Sequence, residues 1–273
     1  VPRPFRHGAV TLASKAAPVM QHLPSPGPVG DQLEKLSLEG RFLQYADQVV
    51  AVSRRFSKEI IRHYPVTGPK IHSCHAGAPE SVLPKASWPW PSRPEALRMV
   101  CAGRPTGQKG WDYLLAALRR LTRDYPEQAH RIELVAIGGL GAWDGPYSAF
   151  SSRLAKQLSR LPGLAFHNGS TLGHQQVRSL FHGADLLVHP AVFEPFGLVL
   201  LEAMQARCSI LSTNSDGPSE ILSPPWGRIV DFATPSNRVD SLAVGLLEIL
   251  GWDRDRLNRN GIYASQAAAP FTW

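Results

Sequence analysis

The chain has 273 residues, enough for one large domain or two small ones, and 43% hydrophobic content provides for a sizeable core. Its 29 basic and 22 acidic residues leave a net charge of +7, which suits anionic substrates or an anionic membrane surface. Arg and Lys are scattered, without a dense run or an aromatic-interleaved stripe, which argues against nucleic acid as a partner.

No apolar run approaches the roughly 20 residues of a membrane span, and no signal peptide is visible. A cytoplasmic protein is expected, with peripheral membrane contact left open. Cys74, Cys101 and Cys208 sit in short apolar runs and read as buried small hydrophobes rather than disulfide partners or metal ligands. The start on Val1 and the finish on Phe271-Thr272-Trp273 read as cuts through a longer protein.

In chain order, residues 1–30 are rich in Pro, Gly and small residues and read as loop, with a short strand near Ala9–Ala13. Asp31 is placed to cap a helix through Tyr45, with Leu33, Leu36, Phe42 and Leu43 on one face. Gln48–Val52 has the apolar character of a parallel strand. Ser53 then caps a helix over Arg54–His63, stopped by Pro65, and Lys70–Cys74 reads as a further strand. From Gly77 to Glu95, five prolines and two tryptophans without periodicity mark an interdomain linker. The expected division is therefore residues 1–78, a linker over 79–96, and a second domain over 97–273.

Beyond the linker, strands Leu97–Ala102, Ile132–Ile137, Leu164–His167, Leu186–His189, Ser209–Ser212 and Arg228–Asp231 alternate with helices. The helices are Gly110–Tyr125, Tyr147–Leu161, His174–His182, one beginning at Pro195, Ser219–Leu222 and Arg238–Leu250. Such alternation predicts an α/β fold with a parallel sheet covered on both faces. Ligands of such sheets bind outside the carboxyl ends of the strands.

The stretch Phe193–Ile221 holds most of the chemistry. Glu194 lies in a turn, and Pro195-Phe196-Gly197 reads as a helix start that leaves the amides of Phe196, Gly197 and Leu198 open to an anion. Glu202, farther along the helix, reaches a group beside that anion. At another strand end, Gly103-Arg104 and Lys109-Gly110 bring two cations that neutralise a diphosphate. Glu220, after Gly217-Pro218, adds a third carboxylate, so a hydroxyl-rich anionic ligand fits the set.

Competing readings are weaker. Two glutamates also suit a glycosidase pair, which would leave the cations unused. Gly138-Gly139-Leu140-Gly141 lacks the spacing of a dinucleotide fingerprint. His167, His174, His182 and His189 show no ligand spacing, and no metal site is expected. Gly169-Ser170-Thr171 falls on the expected rim, where its backbone can meet a nucleobase.

The run from Glu194 through Phe196, Gly197, Leu198 and Val199 to Glu202 resembles the Glu-(seven residues)-Glu motif of retaining glycosyltransferases of the GT-B fold, family 4 among the glycosyl transferases group 1. Ala46–Ser53, Ala102-Gly103-Arg104 with Lys109-Gly110, Ala184–Pro190 and Gly217–Ile221 stand in the family's order. The resemblance runs from about Gln44 to Val230. It implies two facing Rossmann-like domains, of which this chain is mostly the C-terminal, donor-binding one, preceded by a truncated part of the acceptor-side domain.

The resemblance also implies transfer of a sugar, hexosyltransferase-like and metal-independent, from a nucleotide-diphosphate donor of UDP, GDP or ADP type to a carbohydrate or lipid-linked acceptor. No cofactor is implied. Arg104 and Lys109 would grip the diphosphate beside Gly103, Glu194 the sugar hydroxyls, the Phe196–Leu198 amides and Val199 the sugar and phosphate, and Glu202 the ribose. Departures are the missing counterpart of most of the acceptor domain, with His7 and His22 in no matching motif, Asp216 where Gly is common, and Cys74-His75-Ala76-Gly77 before the linker. The first leaves the activity of this chain alone open, with a non-catalytic nucleotide-sugar-binding module as the alternative; the other two bear only on detail.

Overall fold

The alternation of strand and helix becomes two parallel β-sheets. A computed structural model of the chain describes residues 9–11, 38–64, 70–78, 87–141, 148–169 and 172–271. Expectations for Asp31, Leu33, Leu36, His7 and His22 lie outside these residues.

The first module is a three-stranded sheet of β1 (Ala9–Thr11), β2 (Gln48–Ala51) and β3 (Ile71–Ser73), paired parallel in that order. A helix, α1, covers residues 38–45. Helix α2 (Arg54–His63) starts where its cap predicts: Ser53 is extended, and its Oγ accepts the Phe56 N–H at 3.0 Å. Leu43, Val49, Ala51, Phe56 and Ile60 form a small core that also takes in Phe193 from far along the chain.

The second sheet contains β4 (Leu97–Ala102), β5 (Ile132–Ile137), β6 (Ala165–Gly169), β7 (Leu186–His189), β8 (Ser209–Thr213) and β9 (Gly227–Val230), in the order β6-β5-β4-β7-β8-β9 and parallel throughout. Its helices are α3 (Trp111–Asp124), α4 (Pro126–His130), α5 (Ser148–Leu158), α6 (His174–Gly183), α7 (Leu198–Gln205), α8 (Pro218–Ile221), α9 (Arg238–Leu250) and α10 (Arg254–Ala268). Along β4 the period-two alternation sends Leu97, Met99 and Cys101 into one layer with α3 and α9, and Val100 into the other with α7 and α10. The chain leaves β4 outward through β5 to β6, then crosses back to β7 on the other side of β4. The crevice at the carboxyl ends of β4 and β7 is therefore the switch point where such sheets bind ligands.

Helix α10 has no counterpart in the expected elements. Its buried face includes Asn260, Gly261, Ala264 and Ala268, so it lacks a stripe of large apolar residues. Close approach replaces that stripe: a Cβ on Gly261 would lie 2.0 Å from the Arg207 carbonyl oxygen. Of the expected linker, residues 79–86 lie outside the described set. Residues 87–96 pack onto the second sheet, with Trp88 Nε1 donating to buried Glu133 at 2.7 Å.

The cysteines divide. Cys101 and Cys208 are buried, and burial pushes both thiols up, whereas Cys74 is exposed. The expectation of three buried cysteines fails at Cys74 because it follows an edge strand whose last residues, His72 and Ser73, are themselves exposed.

Candidate active site

Glycines let the loops at the switch point meet backbone to backbone. Gly103 follows β4 and lies against Gly138 after β5, where a Cβ would sit 1.9 Å from the Gly103 oxygen. This is the structural role of the Gly138-Gly139 run. Trp111 Nε1 donates to the Gly103 and Arg104 carbonyls, 3.2 Å each, and Arg104 itself is exposed at the crevice. A short 3-10 turn, Gly107–Lys109, then delivers Lys109. Buried Gln108 joins this loop to the one after β7: its backbone carbonyl accepts the Val192 N–H at 2.9 Å and its side-chain Nε2 donates to Phe193 O at 3.1 Å.

These links bring Lys109 and Glu194 together in a mostly buried ion pair, their side chains 14% and 10% exposed. The same oxygen, Glu194 Oε2, lies 3.4 Å from Nε2 of buried His189, whose Nδ1 is 3.1 Å from Ser212 Oγ. Burial pushes the Glu194 carboxyl up, but the His189 hydrogen bond and the Lys109 charge outweigh it and hold the group well below the usual carboxylate range. His189 is shifted down, chiefly by burial, so its imidazole is neutral near pH 7. The Ser212 hydroxyl also donates to the His189 carbonyl oxygen at 3.4 Å, so the roles in its contact with Nδ1 follow the imidazole tautomer.

His189 was absent from the residues expected to form the site, where it read as a surface or core histidine. Its position, last in an apolar strand at the carboxyl edge, was the available signal.

The helix after Glu194 starts later than expected. Gly197 takes a left-handed φ of 104° as the N-cap, and α7 begins at Leu198, so Pro195 lies before the helix rather than in its first turn. The Leu200 N–H already bonds Gly197 O at 2.9 Å. Helix geometry then places the open first-turn amides at Leu198 and Val199, with Phe196 and Gly197 ahead of the first turn. The Phe196 side chain is buried and Leu198 is 46% exposed. Glu202 lies one turn into α7 and lines a small cleft with Arg178 and His182 of α6. On the rim, Ser170 and Thr171 lie outside the described residues.

Glu220 does not join the cation pair. Its carboxylate instead accepts the Arg54 and Arg55 amides and contacts His75. The expected set of three carboxylates around two cations loses Glu220, while Glu194 pairs with Lys109.

Asp216 faces the neighbouring acids. Burial, then Glu59 and Glu220, push its carboxyl up to about 6, opposed by Arg55. A raised folded-state value favours folding below the ordinary value of 3.8, and that contribution is lost as pH rises through about 6. Asp216→Asn is therefore expected to raise the melting temperature above wild type at pH 8, with the difference vanishing near pH 4, in melts across that range.

The fold and its crevice define a Rossmann-like α/β domain that gathers charge at a strand-order switch point. The sequence model of the family Glycosyl transferases group 1 matches residues 84–264, and the chain belongs to that family. It is 26% identical over 255 residues to the alpha-maltose-1-phosphate synthase of Mycolicibacterium smegmatis, covering 86% of this chain and 62% of that protein. It is 25% identical over 287 residues to the D-inositol 3-phosphate glycosyltransferase of Streptomyces scabiei, covering 96% of this chain and 63% of that protein. The chain thus spans less than two thirds of the length of these relatives.

Among solved structures, the sucrose-phosphate synthase of Thermosynechococcus elongatus superposes with a TM-score of 0.75 at 19% identity, over 96% of this chain and 63% of that one. Anabaena HepE, solved with UDP and glucose, gives 0.69 at 15%, over 97% and 67%. The fold is that of GT-B glycosyltransferases. Among the described residues, no helix is long and apolar enough to cross a membrane.

Proposed function

We propose that this chain is the donor-binding part of a retaining family 4 glycosyltransferase, which moves a sugar from a nucleotide-diphosphate donor to a hydroxyl of a carbohydrate or lipid-linked acceptor. One observation carries the reading: an ionised, mostly buried Glu194 held through a single oxygen, Oε2, by Lys109 and His189. Among the described residues, Oε1 has no protein partner, and it retains acceptor positions for sugar hydroxyls.

Lys109 Nζ has three donors and gives one to Glu194, leaving two for phosphate oxygens. Exposed Arg104 and the Leu198 and Val199 amides add positive potential around the same diphosphate. As the bond from the anomeric carbon to the diphosphate breaks, these groups stabilise the charge on the leaving oxygen, so no metal is required. The acceptor hydroxyl attacks the anomeric carbon from the face the diphosphate leaves, its proton passing to the departing phosphate oxygen, and configuration is retained. Glu202 is assigned to the ribose. We assign a cytoplasmic location, with membrane contact limited to the surface.

Thermal shift with UDP, GDP, ADP and their sugars tests the reading. One base class is expected to stabilise the protein by about 2.7 kcal/mol at a hundred times its Kd, a rise of roughly 5–10 °C for a chain of this size. UDP leads the panel, because Anabaena HepE was solved with UDP and glucose and the pneumococcal transferase GtfA with UDP and GlcNAc. If the folded protein responds to no member, the donor reading fails.

A further inference from the structure

The N-terminus of α2 is completed from a distant part of the chain. Ser53 takes the Phe56 amide locally, while Glu220, 165 positions from Arg55, accepts the Arg55 N–H at 2.6 Å through Oε1 and the Arg54 N–H at 3.1 Å through Oε2. His75 Nε2 lies 3.0 Å from the same Oε2. Burial pushes the Glu220 carboxyl up, but His75 and the two amides outweigh it, so the group is ionised and its bonds are charge-assisted.

His75 also lies nearly flat on Phe196, with ring centroids 5.5 Å apart and planes at 25°. Phe56 of α2 meets Phe193 at 6.0 Å. The first module therefore touches the Glu194 turn at both ends. Gly217, three residues before Glu220, closes the circuit: it donates to Glu194 O at 2.9 Å, and a Cβ there would lie 2.1 Å from Phe196 Cα. A cap from the neighbouring residue would have satisfied α2 alone. This one joins α2, the end of β3 and the back of the Glu194 turn.

We propose that Glu220 and His75 are positioning residues: through them the β1–β3 module clamps the Phe193–Gly197 turn, and the turn holds its donor-binding form only while that module is docked. The proposal rests on the donor reading of the Glu194 site, and its test separates the two.

Glu220→Ala, Glu220→Gln and His75→Ala are compared with wild type in the full chain by amide hydrogen exchange over residues 53–58 and 194–200, and by calorimetric titration with UDP. Glu220→Ala is expected to speed exchange in both segments and to weaken UDP binding by about tenfold or more, the loss of one hydrogen bond to a charged group. Glu220→Gln keeps one carbonyl acceptor and has a smaller effect. His75→Ala leaves the α2 amides paired, so exchange rises over 194–200 alone and UDP binding weakens.

Faster exchange over 53–58 with 194–200 unchanged would mean that Glu220 only caps α2, and would overturn the proposal. If Glu220→Ala does not fold, Glu220→Gln decides by the same criterion and His75→Ala by exchange over 194–200 alone, where no rise would overturn the proposal. If wild type does not bind UDP, the two exchange segments still decide the clamp, and the UDP reading is what fails.

Discussion

Lys109→Ala is expected to lower donor turnover by about 10²–10³-fold, the usual cost of removing one preorganised donor from developing negative charge. It also leaves Glu194 buried beside His189 without its cation. Breaking a buried pair from one side costs about 3 kcal/mol. The side chains here, 14% and 10% exposed, are screened too little to erase that cost.

The pH dependence identifies the cause. The lowered Glu194 value means the pair contributes stability above the ordinary carboxylate value of 4.5 and loses it as pH falls through the folded-state value. The stability deficit of the variant is therefore largest at neutral pH and shrinks on acidification below about 4.5, measured by urea unfolding across that range. A deficit independent of pH would assign the loss to packing. Lys109→Arg is not expected to restore turnover, because a planar fork does not replace a compact ammonium that serves carboxylate and phosphate together. Full activity in Lys109→Ala would remove the cation from the mechanism.

Gly110→Ala is expected to have the largest effect on folding among single-methyl additions at the crevice. Gly110 has a φ of 68°, and a Cβ there would lie 1.8 Å from the Pro190 carbonyl oxygen. The left-handed conformation alone costs a non-glycine residue about 1–2 kcal/mol. The clash adds more, because the opposing atom is backbone at the end of β7 and cannot rotate away. A total of about 4 kcal/mol corresponds to a fall of roughly 8–16 °C in melting temperature. Because Gly110 adjoins Lys109 and Pro190 leads to Glu194, nucleotide binding is expected to fall along with stability. A melting temperature within about 2 °C of wild type, less than 1 kcal/mol, would show that the two loops are not packed as described.

Much of this was legible in the sequence, because it rests on local rules. Strand and helix periodicity identified all six strands of the second sheet, some with ends shifted by a residue or two. Ser53 identified the start of α2, since a capping hydroxyl acts three residues away. Lys109 and Glu194 were recognisable as one site because carboxyl-end loops of a parallel sheet converge.

What failed depended on partners far along the chain. Glu220 looks like a site carboxylate until α2 is found to present two amides to it. His189 looks like an ordinary histidine until Ser212 and Glu194 occupy its two nitrogens. Helix α10 is hard to read because small residues gain burial through close approach, which exists only in the packed fold. Residue types and spacings therefore determined the sheet, its crevice and the charges at its rim. Tertiary packing decided which carboxylate stays with the cation and which holds the two modules together, because a carboxylate's role is set by the donors that reach it.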